Sequence, residues 1–92
     1  MSYAVVLGPE AEEDLAKLPP LVASFLLDEL DRLAADPVGL SRPSHFPYPP
    51  DAQAFPTRFE HEDVRYFFHI QFKYGQDEQT LFVQFIATNA VK

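Results

Sequence analysis

The sequence contains no cysteine and no long run of apolar residues. Without cysteine the chain can form neither a disulfide nor a thiolate metal site, and nothing indicates an oxidising compartment. No stretch approaches the roughly 18 consecutive apolar residues of a membrane-spanning helix. The opening "MSYAVVLGPEAEED" also lacks the basic start and apolar run of a secretion signal. We therefore expect a cytoplasmic protein that does not span the membrane.

Basic side chains are scarce, since 7 lysines and arginines stand against 14 aspartates and glutamates, for a formal net charge of −7. Nucleic-acid-binding proteins obtain much of their affinity by neutralising phosphates with lysine and arginine. An acidic chain repels phosphates at long range, so only a local basic face could overcome that repulsion. The charge argues against strong nucleic-acid or ribosome binding, and it favours a basic protein or peptide partner.

Length and composition predict one domain spanning residues 1–92. The chain is 47% hydrophobic, which is enough to build one modest core. The sequence shows no internal repeat and no low-complexity tract. No motif indicates a cofactor, so none is predicted.

The N-terminal half predicts a strand followed by two helices. "YAVVL" (3–7) is short and rich in β-branched residues, and Gly8-Pro9 marks the change to a helix. In "PEAEEDLAKL" (9–18) carboxylates crowd the positive end of the helix dipole. Residues 21–35 predict a second helix, which Asp36-Pro37 ends. Its apolar stripe at helical spacing consists of Val22, Phe25, Leu26, Leu30, Leu33 and Ala34.

The C-terminal half predicts a loop and three strands. Residues 37–51 hold five of the nine prolines, and we interpret them as a loop without regular structure, with His45 as a loop side chain. Strand-like segments follow at 54–60, 64–72 and 80–87, joined by short polar connections. Such connections are typical of an antiparallel meander. The predicted class is α+β, in the order β-α-α-β-β-β, with both helices on one face of a small, mainly antiparallel sheet.

Strand alternation predicts which side chains share a face of that sheet. In the middle strand, the set that should pack against the helices is Val64, Tyr66, Phe68, Ile70 and Phe72. In the last strand, the corresponding set is Leu81, Val83 and Phe85. The opposite face should then carry Arg58, Arg65, Phe67, His69, Gln71, Phe82, Gln84 and Ile86. A face that mixes arginine, histidine, glutamine and aromatic side chains is a candidate binding surface.

The chain resembles the RelE/ParE superfamily of type II toxin–antitoxin toxins along nearly its whole length. The resemblance rests on "YAVVLGPEAEEDLAKLPP", on "LLDELDRLAADP" with its terminal Asp-Pro, and on "RFEHEDVRYFFHI" with an arginine after the turn. It implies a small toxin fold neutralised by an antitoxin that wraps across it. Toxins of this superfamily either cleave messenger RNA in the ribosome or inhibit DNA gyrase.

The resemblance also implies candidate catalytic residues. Arg58 matches a basic position on the family's second strand and Arg65 matches the arginine on the third, whereas Pro56 stands at another position expected to be basic. The arginine and tyrosine that follow the family's last strand have no counterpart in "TNAVK". Cleavage of RNA needs an acid and a base as well as a cation. On the predicted face only His69 has a suitable intrinsic pKa, so it is the third candidate.

Phe67, Phe82, Gln84 and Ile86 are the candidate partner-binding residues, because a monomer rarely exposes an apolar patch of this kind. His61, Glu62 and Asp63 are adjacent turn residues that should point in different directions, so no metal site is predicted.

We therefore expect a toxin-fold protein that acts through an antitoxin-like partner and has weak or absent ribonuclease activity. One alternative is an active inhibitor of translation, by messenger RNA cleavage, or of DNA gyrase. Another is a stand-alone interaction domain that forms a homodimer and has no toxin role.

Overall fold

Three helices and five strands make up the part of the chain that the computed structural model describes, residues 2–44 and 51–92. The helices are α1 (Pro9–Ala16), α2 (Pro20–Ala35) and α3 (Pro37–Leu40). The strands are β1 (Ala4–Leu7), β2 (Arg42–Pro43), β3 (Gln53–His61), β4 (Val64–Tyr74) and β5 (Thr80–Val91).

The strands form one mixed sheet in the order β1-β5-β4-β3-β2. Strands β3, β4 and β5 are an antiparallel meander, which confirms the prediction from their short connections. Strand β1 pairs in parallel with the first residues of β5, from Ala4 opposite Thr80 to Leu7 opposite Val83. The α+β class and the mainly antiparallel sheet are as predicted.

Each helix begins at a proline, namely Pro9, Pro20 and Pro37. Proline suits this position because its fixed φ fits the first helical turn and the N–H that it lacks would have no intrahelical partner. Helix α2 ends at Ala35, and the following Asp36 has a φ of −152°, which is not helical, as expected for a residue before proline.

The core lies between the helices and one face of the sheet. The predicted stripe of α2 is confirmed, since Val22, Leu26 and Leu33 are fully buried. The ring of Phe25 stacks on that of Phe59 in β3, with 4.3 Å between ring centroids. The helix-facing residues of β4 join the same cluster, namely Tyr66, Phe68, Ile70 and Phe72. The predicted faces of β4 are therefore correct.

A polar network links α2 to β3 beside the core. The Arg32 guanidinium donates to both oxygens of Glu29, at 2.9 and 3.0 Å, and Thr57 Oγ1 donates to Glu29 Oε1 at 2.5 Å. The hydrogen bond from Arg32 holds the pKa of Glu29 below its usual value, and the bond from Thr57 acts in the same direction. This carboxylate therefore helps to hold α2 against the sheet.

The proline-rich segment contains regular structure that the sequence did not predict. Residues 37–40 form α3, where the Asp36 side chain accepts a hydrogen bond from the Gly39 N–H at 3.0 Å. Arg42 and Pro43 then pair with Ala54 and Gln53 as the edge strand β2, where a proline is tolerated because one side of an edge strand needs no donor. The prediction of an irregular loop over 37–51 is wrong at these residues. His45 lies outside the described residues.

The last strand is longer than predicted, because β5 continues to Val91 instead of ending at residue 87. The first residues of β4 need a partner on this side, and the segment "TNAV" supplies it, with Arg65 opposite Val91 and Phe67 opposite Asn89. Of the five residues predicted to follow the strand, the first four are therefore part of the sheet.

A β-bulge in β5 overturns the predicted position of Ile86. The register skips Gln84, so Phe72 lies opposite Val83 while Gln71 lies opposite Phe85. The extra residue reverses the alternation of every side chain that follows it. Ile86 is consequently a core residue, only 2% exposed, and Phe85 takes the opposite face.

Candidate functional site

The face of the sheet that points away from the helices is called the outer face. The strand register places on it Arg58, Arg65, Phe67, His69, Gln71, Lys73, Phe82, Phe85, Ala87 and Asn89. Arg58, Arg65 and His69 thus share one face, as predicted. Phe67 and Phe82 are 42% and 39% exposed there, so this face carries apolar surface that the fold itself leaves uncovered.

Arg58, Phe67 and Arg65 lie together at one end of the outer face. Arg58 is directly opposite Phe67, and Glu60 is directly opposite Arg65. These residues line a groove of about 450 Å³. Within residues 2–44 and 51–92, neither guanidinium has a carboxylate at salt-bridge distance. The two arginines can therefore bind an anionic or carbonyl group of a partner beside an exposed aromatic ring.

His69 lies further along β4 from this groove, opposite Pro56 on one side and Ala87 on the other. Its ring stacks on Phe85, with 5.9 Å between centroids and 16° between planes. Phe85 reaches His69 because of the bulge, so the bulge determines the surroundings of this histidine. Phe67 and His69 are two residues apart, which corresponds to about 7 Å along a strand. His69 is therefore further from the arginines than the carboxylate of Glu60, which is opposite Arg65.

Gln84, a predicted partner-binding residue, is tied into an internal network with Gln71 of the same face. Gln71 is 1% exposed, and its Nε2 donates to Gln84 Oε1 at 3.0 Å. Ser44 Oγ donates to Gln71 Oε1 at 2.9 Å. Because the amide of Gln71 is occupied by these bonds, this part of the outer face is structural, and the exposed contact area lies around Phe67 and Phe82.

Sequence reasoning missed Arg42 and gave no role to Lys73. Arg42 pairs with Ala54 at the β2 edge of the outer face, and Lys73 is on the same face beyond Gln71. Arg42 was not predicted to lie on the sheet because the segment that contains it was interpreted as a loop. From Arg65 to Gln71 is six residues of β4, or about 20 Å. The cations therefore occupy two separate ends of the face instead of forming one cluster.

The groove offers little acid or base chemistry. Tyr3 and Tyr74 pack against the hydrophobic core, and Tyr66, which also packs against the core, contributes to the groove lining. Tyr66 belongs to the helix-facing set of β4, so the groove's own outer-face acid or base is the carboxylate of Glu60, opposite Arg65. His69 is the one described imidazole on the outer face, since His61 is at the β3–β4 turn. Cations alone can stabilise phosphorane charge, but they cannot move the protons of strand cleavage.

His61 makes only a distant contact with the adjacent carboxylate, with 3.9 Å between Nε2 and Glu62 Oε2. Among residues 2–44 and 51–92, no group of histidine and acidic side chains is arranged to hold a metal ion. No helix in that part of the chain is both long and apolar enough to cross a membrane.

Solved structures share this architecture at low sequence identity. A chain of the toxin–antitoxin complex RelBE2 from Mycobacterium tuberculosis aligns with a TM-score of 0.72 and 16% identity, over 97% of this chain and 100% of that one. A chain of the intact E. coli RelBE toxin–antitoxin complex gives 0.63 and 15%, over 94% and 95%. A mutant of the E. coli toxin RelE in the free state gives 0.58 and 16%, over 95% and 83%.

The protein therefore has a RelE-like fold, as the resemblance in its sequence predicted. No protein-family model matches the chain, and no curated protein sequence matches it at a significant level.

Proposed function

We propose that the protein is a RelE-like toxin of a toxin–antitoxin system, acting mainly through protein contacts in the cytoplasm, with weak or absent ribonuclease activity. The observation that carries the proposal is the outer face. It presents exposed Phe67 and Phe82 together with Arg58 and Arg65, but only Glu60 and His69 as an acid or base. This composition suits a protein interface better than a nuclease centre.

Phe67 is the natural anchor of such an interface. Aromatic and arginine side chains are the commonest binding hot spots, because they combine a large contact area with directed hydrogen bonds. Phe67 has Arg58 directly across on β3, and Arg65 lies two residues before it on β4. An antitoxin-like chain that covered the ring would bury apolar surface and could satisfy both guanidiniums. Two of the similar structures are toxin–antitoxin complexes, which supports a partner of this kind.

Electrostatics supports the same assignment. The formal net charge of −7 repels polyanions, and the outer-face cations lie at two separate ends of the face. The groove at Arg58 and Arg65 can neutralise about two phosphates, for which counterion release predicts a log–log salt slope near −2. Binding of this strength is easily screened at physiological ionic strength.

An active translation inhibitor is the second candidate function, and one observation favours it. Arg42 and Lys73 at one end of the outer face, and Arg58 and Arg65 at the other, flank exposed aromatic rings. Cations that alternate with aromatic platforms are the arrangement that binds single-stranded nucleic acid. Inhibition of DNA gyrase and a stand-alone homodimer remain as alternatives, with no structural observation that favours either.

Induced expression tests the toxin role. The proposal expects that the product of a neighbouring gene co-purifies with the protein and that expression alone causes little growth arrest, whereas strong growth arrest would favour the active inhibitor. Arg65→Ala should weaken that complex. A protein that leaves growth unchanged and purifies as a homodimer without any partner would contradict the proposal and favour the stand-alone domain.

A further inference from the structure

The sheet has two partly open edges, one on β3 and one on β5. The hydrogen bonds show which residues of each edge direct their backbone N–H and C=O groups away from the neighbouring strand. On β3, Ala52 C=O accepts from Ser44 N on the β2 side, so the even-numbered residues of β3 direct their backbone groups to that side. Because β2 pairs only with Gln53 and Ala54, the edge is open from Pro56 onwards. The residues whose backbone groups point away from the sheet at this edge are Pro56, Arg58 and Glu60.

On β5, the edge is open beyond Val83, where its pairing with β1 ends. The Val83 carbonyl accepts from Gly8 N on that side, and after the bulge the Ile86 N–H points the same way, to Asp14. By alternation, Thr88 and Ala90 also point their N–H and C=O groups away from β4. No other strand of residues 2–44 and 51–92 pairs with this side of β5.

The two edges differ in their protection against an added strand. Folded proteins block open edges with proline, charged side chains or very short strands. The edge of β3 has such protection, because Pro56 offers no donor and is followed by Arg58 and Glu60. The edge of β5 runs through "IATNAV" (86–91), which contains neither proline nor charge. It is therefore the edge that can accept another strand.

Acidic side chains outnumber basic ones around the β5 edge. Helix α1 packs against β5 and carries Glu10, Glu12 and Glu13, all exposed, while Asp14 reaches the edge itself. The basic side chains beside this edge are Lys17, which follows α1, and Lys92, which follows β5. Opposite charge at an interface speeds association and selects among partners, whereas like charge there is costly. An incoming strand with lysine or arginine side chains would meet these carboxylates, and an acidic strand would be repelled.

We propose that the open edge of β5, residues 86–91, binds a basic extended segment of a partner protein as an additional strand of the sheet. Backbone hydrogen bonds to Thr88 and Ala90 fix the register of the added strand, and the carboxylates of α1 favour a strand with basic side chains. This surface is separate from the arginine groove, and the proposal holds whether or not the protein is a toxin.

The test uses the full chain and a synthetic peptide of about ten residues in which lysine alternates with valine, a length typical of strands. Amide hydrogen exchange measured by NMR should slow at Thr88 and Ala90 when the peptide is added. The amides of Arg58 and Glu60 on the β3 edge are the internal control and should not change. A matched peptide with glutamate in place of lysine should bind much more weakly, and the difference should shrink in high salt.

Variants separate edge pairing from simple charge attraction. Thr88→Pro removes an outward N–H that the sheet does not use, and should weaken peptide binding by about tenfold, whereas Thr88→Val keeps the N–H and should bind normally. Ala90→Pro provides the same test nearer the end of the strand, where its effect on folding is smaller. Protection of the β3 edge, equal binding of the acidic peptide, or self-association of the protein through Thr88 would overturn the proposal.

Discussion

The Asp14 carboxylate of α1 accepts a hydrogen bond from the backbone N–H of Ile86, with 2.8 Å between Asp14 Oδ2 and the nitrogen. The two residues are 72 positions apart, and the bond lies just after the bulge in β5. The bulge turns Ile86 into the core and Phe85 towards His69 on the outer face. Asp14 thus helps to fix which side chains of β5 the outer face presents.

Replacing Asp14 should therefore destabilise the protein. We expect Asp14→Ala to lower the free energy of unfolding by about 1.5 to 3 kcal/mol, the range for a hydrogen bond to a charged group. Asp14→Asn keeps a side-chain oxygen and should lose less. Urea denaturation measures both, with the exposed neighbour Glu13→Ala as the control. Equal stability of Asp14→Ala and Glu13→Ala would show that the bond contributes nothing.

The helix stripe of α2 makes a second prediction. Leu30 is 3% exposed, so Leu30→Ala should cost about 2 to 5 kcal/mol of stability through lost burial and the cavity left behind. Leu27 on the same helix is 50% exposed and is the matched control, for which Leu27→Ala should cost less than about 1 kcal/mol. If denaturant melts gave the two variants similar losses, the assigned face of α2 would be wrong.

The Glu29 network predicts a pH dependence of stability. The folded-state pKa of Glu29 is lowered, first by the hydrogen bond from Arg32, so its contribution is complete above the pKa of the unfolded chain. The contribution is lost as the pH falls through the lowered folded-state pKa. Glu29→Gln should therefore destabilise the protein at neutral pH and lose less stability than wild type on acidification.

Urea midpoints between neutral and acidic pH measure this difference. Glu12→Gln, at an exposed site on α1, is the control and should follow wild type. A constant offset between Glu29→Gln and wild type at every pH would contradict the titration of Glu29 in this range.

The exposed ring of Phe67 predicts an effect on partner binding rather than on folding. Phe67→Ser should leave the melting behaviour within about 0.5 kcal/mol of wild type, as for most surface changes. It should reduce recovery of the partner in co-purification, because aromatic anchors dominate interfaces. Leu27→Ser is the control, since Leu27 is similarly exposed but lies on α2. Loss of the partner from the Leu27 variant alone would place the interface on the helices.

The regular strands were predictable because their alternation is uninterrupted. From Val64 to Phe72 every second side chain of β4 is apolar, so the faces could be assigned correctly. The bulge at Gln84 could not be predicted from the local sequence, because no glycine or proline marks it. The acceptor of the Ile86 N–H, Asp14, lies in another element, and the assignment of Ile86 to the outer face failed for that reason.

The sequence predicted where the candidate site lies, but it predicted only some of the residues that form it. Arg58, Arg65 and Phe67 were placed together from strand parity alone. Arg42 was not, because it reaches the sheet through β2, a two-residue edge strand within a proline-rich segment. The burial of Gln71 could not be predicted either, since it depends on hydrogen bonds with Ser44 and Gln84 that bring separate segments together.

Codon-resolved cleavage of messenger RNA in a reconstituted translation system tests the central claim most directly. The wild type, Arg65→Ala and His69→Ala should be compared at physiological salt, with Leu27→Ala as a folded control. The proposed function predicts no efficient cleavage by any of the four proteins, because the two cations of the groove are accompanied only by Glu60 and by the more distant His69 as candidate acid and base. Efficient cleavage by the wild type that is lost in Arg65→Ala or His69→Ala would contradict the claim and make that residue catalytic.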